Sequence, residues 1–256
     1  MEQCDILEKS GVSIGIGVFI TIAMFVSYIP QYYKIISRQS IDGINFNTLL
    51  IGNTANFYNF MGILTLSTWK FGCCHYINSG RCATGIIPSI QMFMPWFSIT
   101  IYIIIYLHYK FYYEDCISNR WDKRLLLFWI SIFIIPIIIA YVSLVSKTIY
   151  PNHDKEVLGN FLNITSAVLC LIQWVPQILT TYKEKDIGSL SYLTLGFQSI
   201  GSIIVFCYQT FFTSEELSVG APFLVSGLQQ FIIIGMGLYY RKQRLIEYDI
   251  LVDGTL

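Results

Sequence analysis

Charged side chains are scarce in this sequence: they make up 12% of its 256 residues, whereas apolar residues make up 54%. A soluble globular domain carries about 25% charged residues, so this chain has too little charge to cover a folded surface in water. The formal net charge is zero, and no excess of positive charge indicates a nucleic-acid partner. The composition favours an integral membrane protein with the lipid bilayer as its solvent.

Acidic residues are missing from the central part of every long apolar stretch, and the histidines lie in loops or near stretch ends, as His108 does. A carboxylate inside the membrane would mark a proton relay or a cation site, so the sequence predicts neither. It also contains no glycine-rich phosphate loop and no pairing of a nucleophile with a base. We therefore expect no catalysis, no cofactor and no metal.

Seven apolar stretches are present, and each is long enough for a helix of about 20 residues that crosses a bilayer. They are nearly continuous rather than alternating, which favours helices over a β-barrel. The first stretch could be a signal peptide, but it is longer than such an apolar core and follows several acidic residues, so we interpret it as a retained helix. The predicted spans are 11–36, 46–67, 86–110, 125–146, 158–182, 190–212 and 219–240.

Lysine and arginine are unevenly divided between the two sides that these spans define. Eleven lie on the side that holds the C-terminal residues 241–256, and five lie on the side that holds the N-terminus. Short loops rich in Lys and Arg stay in the cytosol. The bias predicts a cytosolic C-terminus and an N-terminus in the lumen of an organelle or outside the cell.

Cysteines cluster on the predicted lumenal side, where disulfides are able to form. Cys82 follows Cys73 and Cys74 closely, and Cys4 lies on the same side. The spacing matches no standard zinc site, so we expect a disulfide from Cys82 to one of the other three, and sequence does not decide which. The one glycosylation sequon, Asn163-Ile-Thr165, falls inside a predicted span and should be unused.

An internal repeat is visible around two Pro-Gln dipeptides. Tyr28-Ile-Pro-Gln31 matches Trp174-Val-Pro-Gln177, and each follows a long apolar run and precedes a polar stretch. Beyond that stretch, Leu49–Gly52 matches Leu193–Gly196 at an offset of 144. The repeat predicts two parallel three-helix bundles, related by an axis along the membrane normal.

The predicted fold is therefore all-α, with seven transmembrane helices in a 3+1+3 arrangement. A single linker helix lets both bundles enter the membrane in the same orientation. The predicted domains are a first bundle with a lumenal N-terminus at 1–113, a linker at 114–157, a second bundle at 158–240 and a cytosolic tail at 241–256.

Proline inside a helix removes a hydrogen bond and kinks the helix. A single kink is often static, but two prolines at matched repeat positions, each followed by glutamine, favour a paired gate. We assign Pro30, Gln31, Pro176 and Gln177 as hinge or gate residues.

Uncharged amides remain as candidates for solute contact. An amide in hydrocarbon costs several kcal/mol unless it is bonded, so these side chains should face the bundle interior, either as links between helices or along a pathway. Residues three apart on a helix share a face. The candidate pathway residues are Asn53, Asn56, Asn160, Asn163 and Gln198.

The paired Pro-Gln motifs and the 3+1+3 pattern resemble the PQ-loop family over about residues 12–240. The resemblance implies a transporter, since the family includes amino-acid transporters of lysosomes and vacuoles and, more distantly, SWEET sugar transporters. Asn53 stands where the cationic amino-acid branch has aspartate, and Gly196 is followed by Phe197 and Gln198 rather than by an acid. These departures favour a facilitator of a small neutral or zwitterionic solute, such as an amino acid or a sugar.

Two other functions occur on folds of this kind: a receptor or adaptor, and a lipid scramblase. The tail sequence Tyr248-Asp-Ile-Leu251 fits a tyrosine-based sorting motif, Tyr-x-x followed by a bulky apolar residue. We therefore expect sorting adaptors as partners and a lysosomal, endosomal or vacuolar membrane as the location.

Overall fold

A computed structural model describes residues 11–41, 44–76, 78–113, 133–134, 137–138, 141–142, 152–188, 190–212 and 217–253. Every regular element in these ranges is helical, which confirms the all-α prediction. The helices are α1 Gly11–Val26, α2 Ile29–Arg38, α3 Phe46–Leu66, α4 Thr68–Cys73, α5 Ser79–Tyr113, α6 Asn152–Gln173, α7 Val175–Glu184, α8 Tyr192–Cys207 with a π-helical turn Tyr208–Phe212, and α9 Leu217–Asp253.

Helices occupy six of the seven predicted spans. The fourth, 125–146, lies outside the described residues apart from three helical pairs, within which Phe133 packs against Phe57 of α3 with ring centroids 4.8 Å apart. Within the described residues, four segments are long and apolar enough to cross a membrane: Ile14–Arg38, Ser79–Lys110, Lys155–Glu184 and Val219–Ile246. Helix α3 is less apolar because it carries Asn47, Asn53, Asn56 and Asn59.

Both Pro-Gln motifs lie just after an interruption of a long helix. Tyr28 separates α1 from α2, and Trp174 separates α6 from α7. Both short helices have ten residues, with proline in the first turn, where its missing N–H costs no hydrogen bond. Each ends on a left-handed residue, Gln39 (φ 49°) or Lys185 (φ 51°). The two repeats thus share the same break and the same end.

Polar caps fix where the next helix of each repeat begins. Asn45 caps α3 by accepting a hydrogen bond from the Asn47 N–H, and Ser191 caps α8 by accepting one from the Thr194 N–H. Such side chains satisfy the unpaired N–H groups of a first helical turn. Asn45 and Ser191 are 146 positions apart, as are Gln31 and Gln177.

The offset between matching residues of the two repeats therefore remains 146 in α3 and α8, and the predicted change of this offset to 144 is wrong. Tertiary contacts agree with the offset of 146. It matches Gly17 to Asn163 and Gly62 to Tyr208, and the structure shows Gly17 next to Tyr208 and Asn163 next to Gly62. The match of Leu49–Gly52 to Leu193–Gly196 came from similar apolar composition, whereas the caps set the true helix starts.

Contacts between helices define two ends of the bundle. We call the end with Gln39, Asn45, Lys185 and Ser191 the loop end. We call the opposite end, where Cys74 and Cys82 form a disulfide, the disulfide end. Helix α1 runs alongside α5 towards the loop end, since Gln91 bonds to Gly17 and Tyr102 bonds to Gln31. In the second repeat, α6, α7 and α9 also run towards the loop end, so the repeats are parallel.

Candidate functional site: a cavity between the two repeats

A cavity of about 500 Å³ lies between the two repeats. This volume falls within the range of about 300–1,000 Å³ that is usual for small-molecule sites. Seven pairs of its lining residues are 146 positions apart, one residue of each pair from each repeat. These pairs are Met24 and Cys170, Ser27 and Gln173, Tyr28 and Trp174, Thr48 and Thr194, Leu49 and Leu195, Gly52 and Gln198, and Asn56 and Ser202. The cavity is therefore centred on the axis that relates the repeats.

The polar groups that line this cavity are uncharged. Among its described lining residues there is no Asp, Glu, Lys, Arg or His, in agreement with the sequence, which places no acid in the central part of any span. Hydroxyl and amide groups supply the polarity, and Tyr28, Trp174 and several aliphatic side chains form the apolar walls. Such a lining suits a solute without net charge.

Two matched hydroxyls in the cavity wall have no hydrogen-bond partner in the described structure. Thr48 is 6% exposed and Thr194 is 4% exposed, and the Oγ1 atom of each is unpartnered. The Oε1 atom of Gln230 on α9 is also unpartnered, although its Nε2 donates to the Ser226 Oγ at 3.3 Å. A buried polar atom without a partner costs about 1–3 kcal/mol, and these three atoms are shielded from the cavity in this arrangement. A rotation of the side chain is needed before any of them meets a polar ligand or water in the cavity.

At the loop end, each Pro-Gln glutamine bonds to the other repeat. Gln31 Oε1 accepts a hydrogen bond from the Ser191 N–H at 2.8 Å, and Gln177 Oε1 accepts one from the Asn45 N–H at 3.0 Å. Both glutamines are buried. Gln31 Nε2 also donates to Tyr102 Oη at 3.0 Å. We call the two bonds between repeats the glutamine latches.

Other polar contacts reinforce the loop end. Asn45 Nδ2 donates to the Thr180 hydroxyl at 3.0 Å, and Lys34, which matches Thr180 in the repeat, donates to the carbonyl oxygens of Gly188 and Leu190. Side chains of each repeat therefore bond to the loop of the other repeat, so hydrogen bonds cross this end of the cavity.

The disulfide end is crossed by a second set of buried amides. Gln209, in the π-helical turn after α8, donates through Nε2 to Gln91 Oε1 at 2.7 Å. Gln91 Nε2 in turn donates to the Gly17 carbonyl oxygen at 3.0 Å. The chain Gln209–Gln91–Gly17 joins α8, α5 and α1, so the cavity lies between two polar barriers.

The predicted pathway residues divide into two groups. Asn56 and Gln198 line the cavity. Asn53, Asn160 and Asn163, which were also predicted to lie on a solute pathway, are not among the residues that line this cavity. Asn53 is turned towards α5, where its Nδ2 donates to the Thr100 hydroxyl at 3.2 Å.

Asn160 and Asn163 lie on α6. Asn163 is fully buried against Gly62 of α3. Neither of its amide atoms has a partner in the described structure, nor does Asn160 Oδ1. Residues three apart share only a broad face of a helix, and which part of it meets a neighbour depends on packing that the sequence does not reveal.

Thr48 and Thr194 were missed by reasoning from the sequence. Threonine is common in membrane helices and bonds to its own backbone there, so it carries no signal alone. The sequence feature that could have identified them is the offset between the repeats, because an offset of 146 makes these two threonines a matched pair one turn after the caps.

The cysteines at the disulfide end are paired. Cys74 and Cys82 form a disulfide, and Cys73 is disulfide-bonded as well. Their thiols are therefore not available as metal ligands. At the other terminus, α9 continues as far as Asp253, so the backbone of the predicted sorting motif is helical, while the side chains of Tyr248 and Leu251 lie outside the described part of the structure.

Comparison with known proteins agrees with this geometry. The family model of the PQ loop repeat matches the chain twice, at residues 12–71 and 158–218. This is a PQ-loop repeat protein. The two matches begin 146 positions apart, as the caps, the latches and the cavity pairs require. Each match covers the first two predicted spans of one repeat, so the matched ranges include the Pro-Gln glutamines, Thr48 and Thr194.

The chain is also similar to an uncharacterized protein of Schizosaccharomyces pombe. The two are 21% identical over 262 residues, which cover 93% of this chain and 83% of the relative. The similarity thus extends beyond the two matched repeats. As a PQ-loop repeat protein with several long apolar helices, the chain is a multi-pass membrane protein of a family whose members are generally transporters.

Proposed function

We propose that this protein is a facilitator that moves a small neutral or zwitterionic solute, such as an amino acid or a sugar, across an endolysosomal membrane. The observation that carries the proposal is the cavity on the axis between the repeats, with uncharged polar walls and unpartnered hydroxyls at Thr48 and Thr194. Once rotated towards the cavity, these hydroxyls and the Gln230 amide would replace part of the water shell of the solute.

The polar barriers at both ends supply a means of alternating access. Opening the loop end requires the glutamine latches to break, and opening the disulfide end requires the Gln209–Gln91 bond to break. Each net bond contributes only about 0.5–1.5 kcal/mol, which is small enough for exchange between states. The proline that precedes each glutamine places the helix break beside the latch.

Uptake by proteoliposomes tests the proposal. The purified protein is given labelled neutral amino acids, cationic amino acids and sugars, with and without a pH gradient. We expect saturable uptake of a neutral solute that does not follow the gradient. Uptake should fall at least tenfold in Thr48→Val, Thr194→Val and Pro176→Ala. Thr165→Val is the matched control, because the Thr165 hydroxyl bonds to the Phe161 carbonyl oxygen and is not part of the cavity wall.

Two outcomes would contradict the proposal. Uptake driven by the proton gradient would show that a relay exists which the cavity lining does not contain. A folded protein that takes up nothing would favour a receptor or adaptor. The scramblase alternative needs a polar track for headgroups along the lipid-facing surface, and the described opening between helices α1 and α8 is apolar.

The endolysosomal location depends on the tail. We expect Tyr248→Ala to shift a fluorescently tagged protein from internal membranes to the plasma membrane, whereas Tyr240→Ala, at the end of the last predicted span, should leave it in place. Unchanged distribution of Tyr248→Ala in cell images would remove the sorting motif from the proposal and leave the transport proposal untouched.

A further inference from the structure

The repeat symmetry creates two equivalent helix pairs between the bundles: α3 with α6, and α1 with α8. We call these the closed seam and the open seam. In a symmetric molecule the two seams would have the same contacts. Here they differ, and the cavity extends from the axis into the open seam, where residues of α1 and α8 line it.

Helices α3 and α6 are in close contact along the closed seam. The Ser166 hydroxyl donates to the Ala55 carbonyl oxygen at 2.7 Å and is fully buried. A Cβ built on Gly62 would lie 3.0 Å from the Gly159 carbonyl oxygen, and one built on Gly52 would lie 3.2 Å from Cδ of Gln173. No lipid chain fits between backbones this close.

The matched positions in the open seam are separated. Ile20 and Gly201, the counterparts of Ser166 and Ala55, both line the cavity instead of meeting. A Cβ built on Gly201 would have nothing within 4 Å. Among the described residues, Gly17 of α1 meets Tyr208 towards the disulfide end, and at the loop end Gln31 accepts a hydrogen bond from the Ser191 N–H. The open seam is thus a gap between two closed ends.

The rim of this gap is apolar and belongs to the outer surface of the protein. Five lining residues are also exposed large apolar side chains: Phe19 (72% exposed) and Val26 on α1, and Phe197, Ile200 and Ile204 on α8. They continue the apolar surface that faces the membrane, with no charged side chain between them and the cavity among the described lining residues. The only medium at this depth is hydrocarbon.

We propose that the open seam is a binding site for the hydrocarbon chain of a bilayer lipid, which enters sideways between α1 and α8. An empty apolar gap would forfeit dispersion contacts along both walls, and water is poorly held where few polar partners exist. A flexible acyl chain fills the gap without either cost. The proposal is independent of the proposed solute, because it concerns the seam and not the matched polar groups on the axis.

Photolabelling tests this site. The purified full-length protein is reconstituted into phosphatidylcholine vesicles that contain palmitic acid with a photoactivatable diazirine in its chain. After illumination, labelled peptides are identified by mass spectrometry. We expect label to concentrate on the α1 segment 19–26 and the α8 segment 197–204, well above other exposed apolar helix faces. Unlabelled palmitic acid should compete for these positions.

Two substitutions fill the gap from opposite walls: Gly201→Phe on α8 and Ala23→Phe on α1. We expect each to lower labelling of the seam at least fivefold. Gly235→Phe is the matched control, since Gly235 is exposed on α9, has open space around its Cβ position and does not line the cavity. Thermal unfolding of all three variants verifies that they are folded.

Label spread over all lipid-facing helices in proportion to exposure, and unaffected by Gly201→Phe or Ala23→Phe, would overturn the proposal, since it would show contact with bulk lipid only. Solute uptake is a separate measurement. Seam labelling in a protein that takes up no solute would support the lipid site and refute only the facilitator, whereas solute uptake by a protein without seam labelling would overturn the lipid site and leave the facilitator proposal standing.

Discussion

At the scale of single residues, removing the unpartnered hydroxyls should have opposite effects on function and on stability. Thr48 and Thr194 keep buried oxygen atoms without a partner, which costs free energy that a valine of similar shape would not cost. We expect Thr48→Val and Thr194→Val each to raise the free energy of unfolding by about 1 kcal/mol, although both should lower uptake. SDS-induced unfolding in mixed micelles measures the change.

Thr165→Val serves again as the control, because its hydroxyl already bonds to the Phe161 carbonyl oxygen at 2.8 Å. Threonine and valine have similar helix propensities, so this variant should be nearly neutral. A loss of stability in Thr48→Val and Thr194→Val would mean that their hydroxyls are satisfied in the protein, and the case for a ligand at these atoms would fail.

Substitution of a glutamine in the latches should lower the free energy of unfolding, whereas the threonine substitutions should raise it. Gln31→Leu leaves the buried Ser191 N–H without its acceptor, and Gln177→Leu does the same to the Asn45 N–H. An orphaned buried donor costs about 1–3 kcal/mol, so each variant should be less stable by that amount in the same SDS titration. Gln243→Leu on the exposed end of α9 is the control. Equal stability of all three variants would show that the latches do not hold the loop end.

At the scale of helices, the closed seam depends on small residues. Gly62→Ala places a Cβ against Asn163 and near the Gly159 carbonyl oxygen, and overpacking of this kind costs about 1–3 kcal/mol. Gly196→Ala, with nothing within 4 Å of its Cβ position, should be neutral or gain up to about 1 kcal/mol from helix propensity. Unfolding titrations of the pair compare the two, and equal stability would contradict the close approach of α3 and α6.

The helices themselves followed from the sequence, because apolar length and the Pro-Gln breaks are local signals. Proline alone does not explain the breaks: Pro88, Pro95 and Pro222 lie within helices that continue past them. The sequence did not reveal how α3 is rotated about its axis, so it did not predict that Thr48 lines the cavity while Asn53 bonds to Thr100 of α5. The rotation of a helix is decided by contacts with α5 and α6, which are long-range.

The ion pair between Asp186 and Arg244 connects the 185–191 loop to α9. Their side chains are 3.0 Å apart, and both are partly exposed. Burial would raise the pKa of Asp186, but the hydrogen bond and charge of Arg244 and the backbone N–H groups of Ile187 and Gly188 outweigh it and hold the pKa below its usual range.

A group with a lowered pKa contributes stability above its unfolded pKa, about 3.9 for aspartate, and loses it as the pH falls through the folded value. We expect Arg244→Gln to reduce the free energy of unfolding by less than about 1 kcal/mol at pH 7, as for exposed pairs. The difference from the parent should shrink below about pH 4. Unfolding titrations at several pH values measure it, and a difference that grows in acid would contradict the assignment.

At the scale of the whole molecule, the two ends of the bundle differ in charge. Among the described residues, eight lysines and arginines lie at the loop end and three at the disulfide end. Those at the loop end are Lys34, Arg38, Lys110, Lys183, Lys185, Arg241, Lys242 and Arg244; the others are Lys70, Arg81 and Lys155. The described residues therefore show the excess of lysine and arginine at one end that the sequence predicts. The direction of each helix determines at which end its flanking loops lie.

This bias predicts that the loop end faces the cytosol, and cysteine labelling can decide it. Glu156 and Lys185 are exposed and lie at opposite ends of the α6–α7 segment. We expect Lys185→Cys to react with a membrane-impermeant maleimide in intact organelles, whose cytosolic face is outward. Glu156→Cys should react only after permeabilisation, and the parent protein gives the background of the native thiols. Labelling of Glu156→Cys alone in intact organelles would invert the topology, place the disulfide end in the reducing cytosol and remove the reason for a stable Cys74–Cys82 bond.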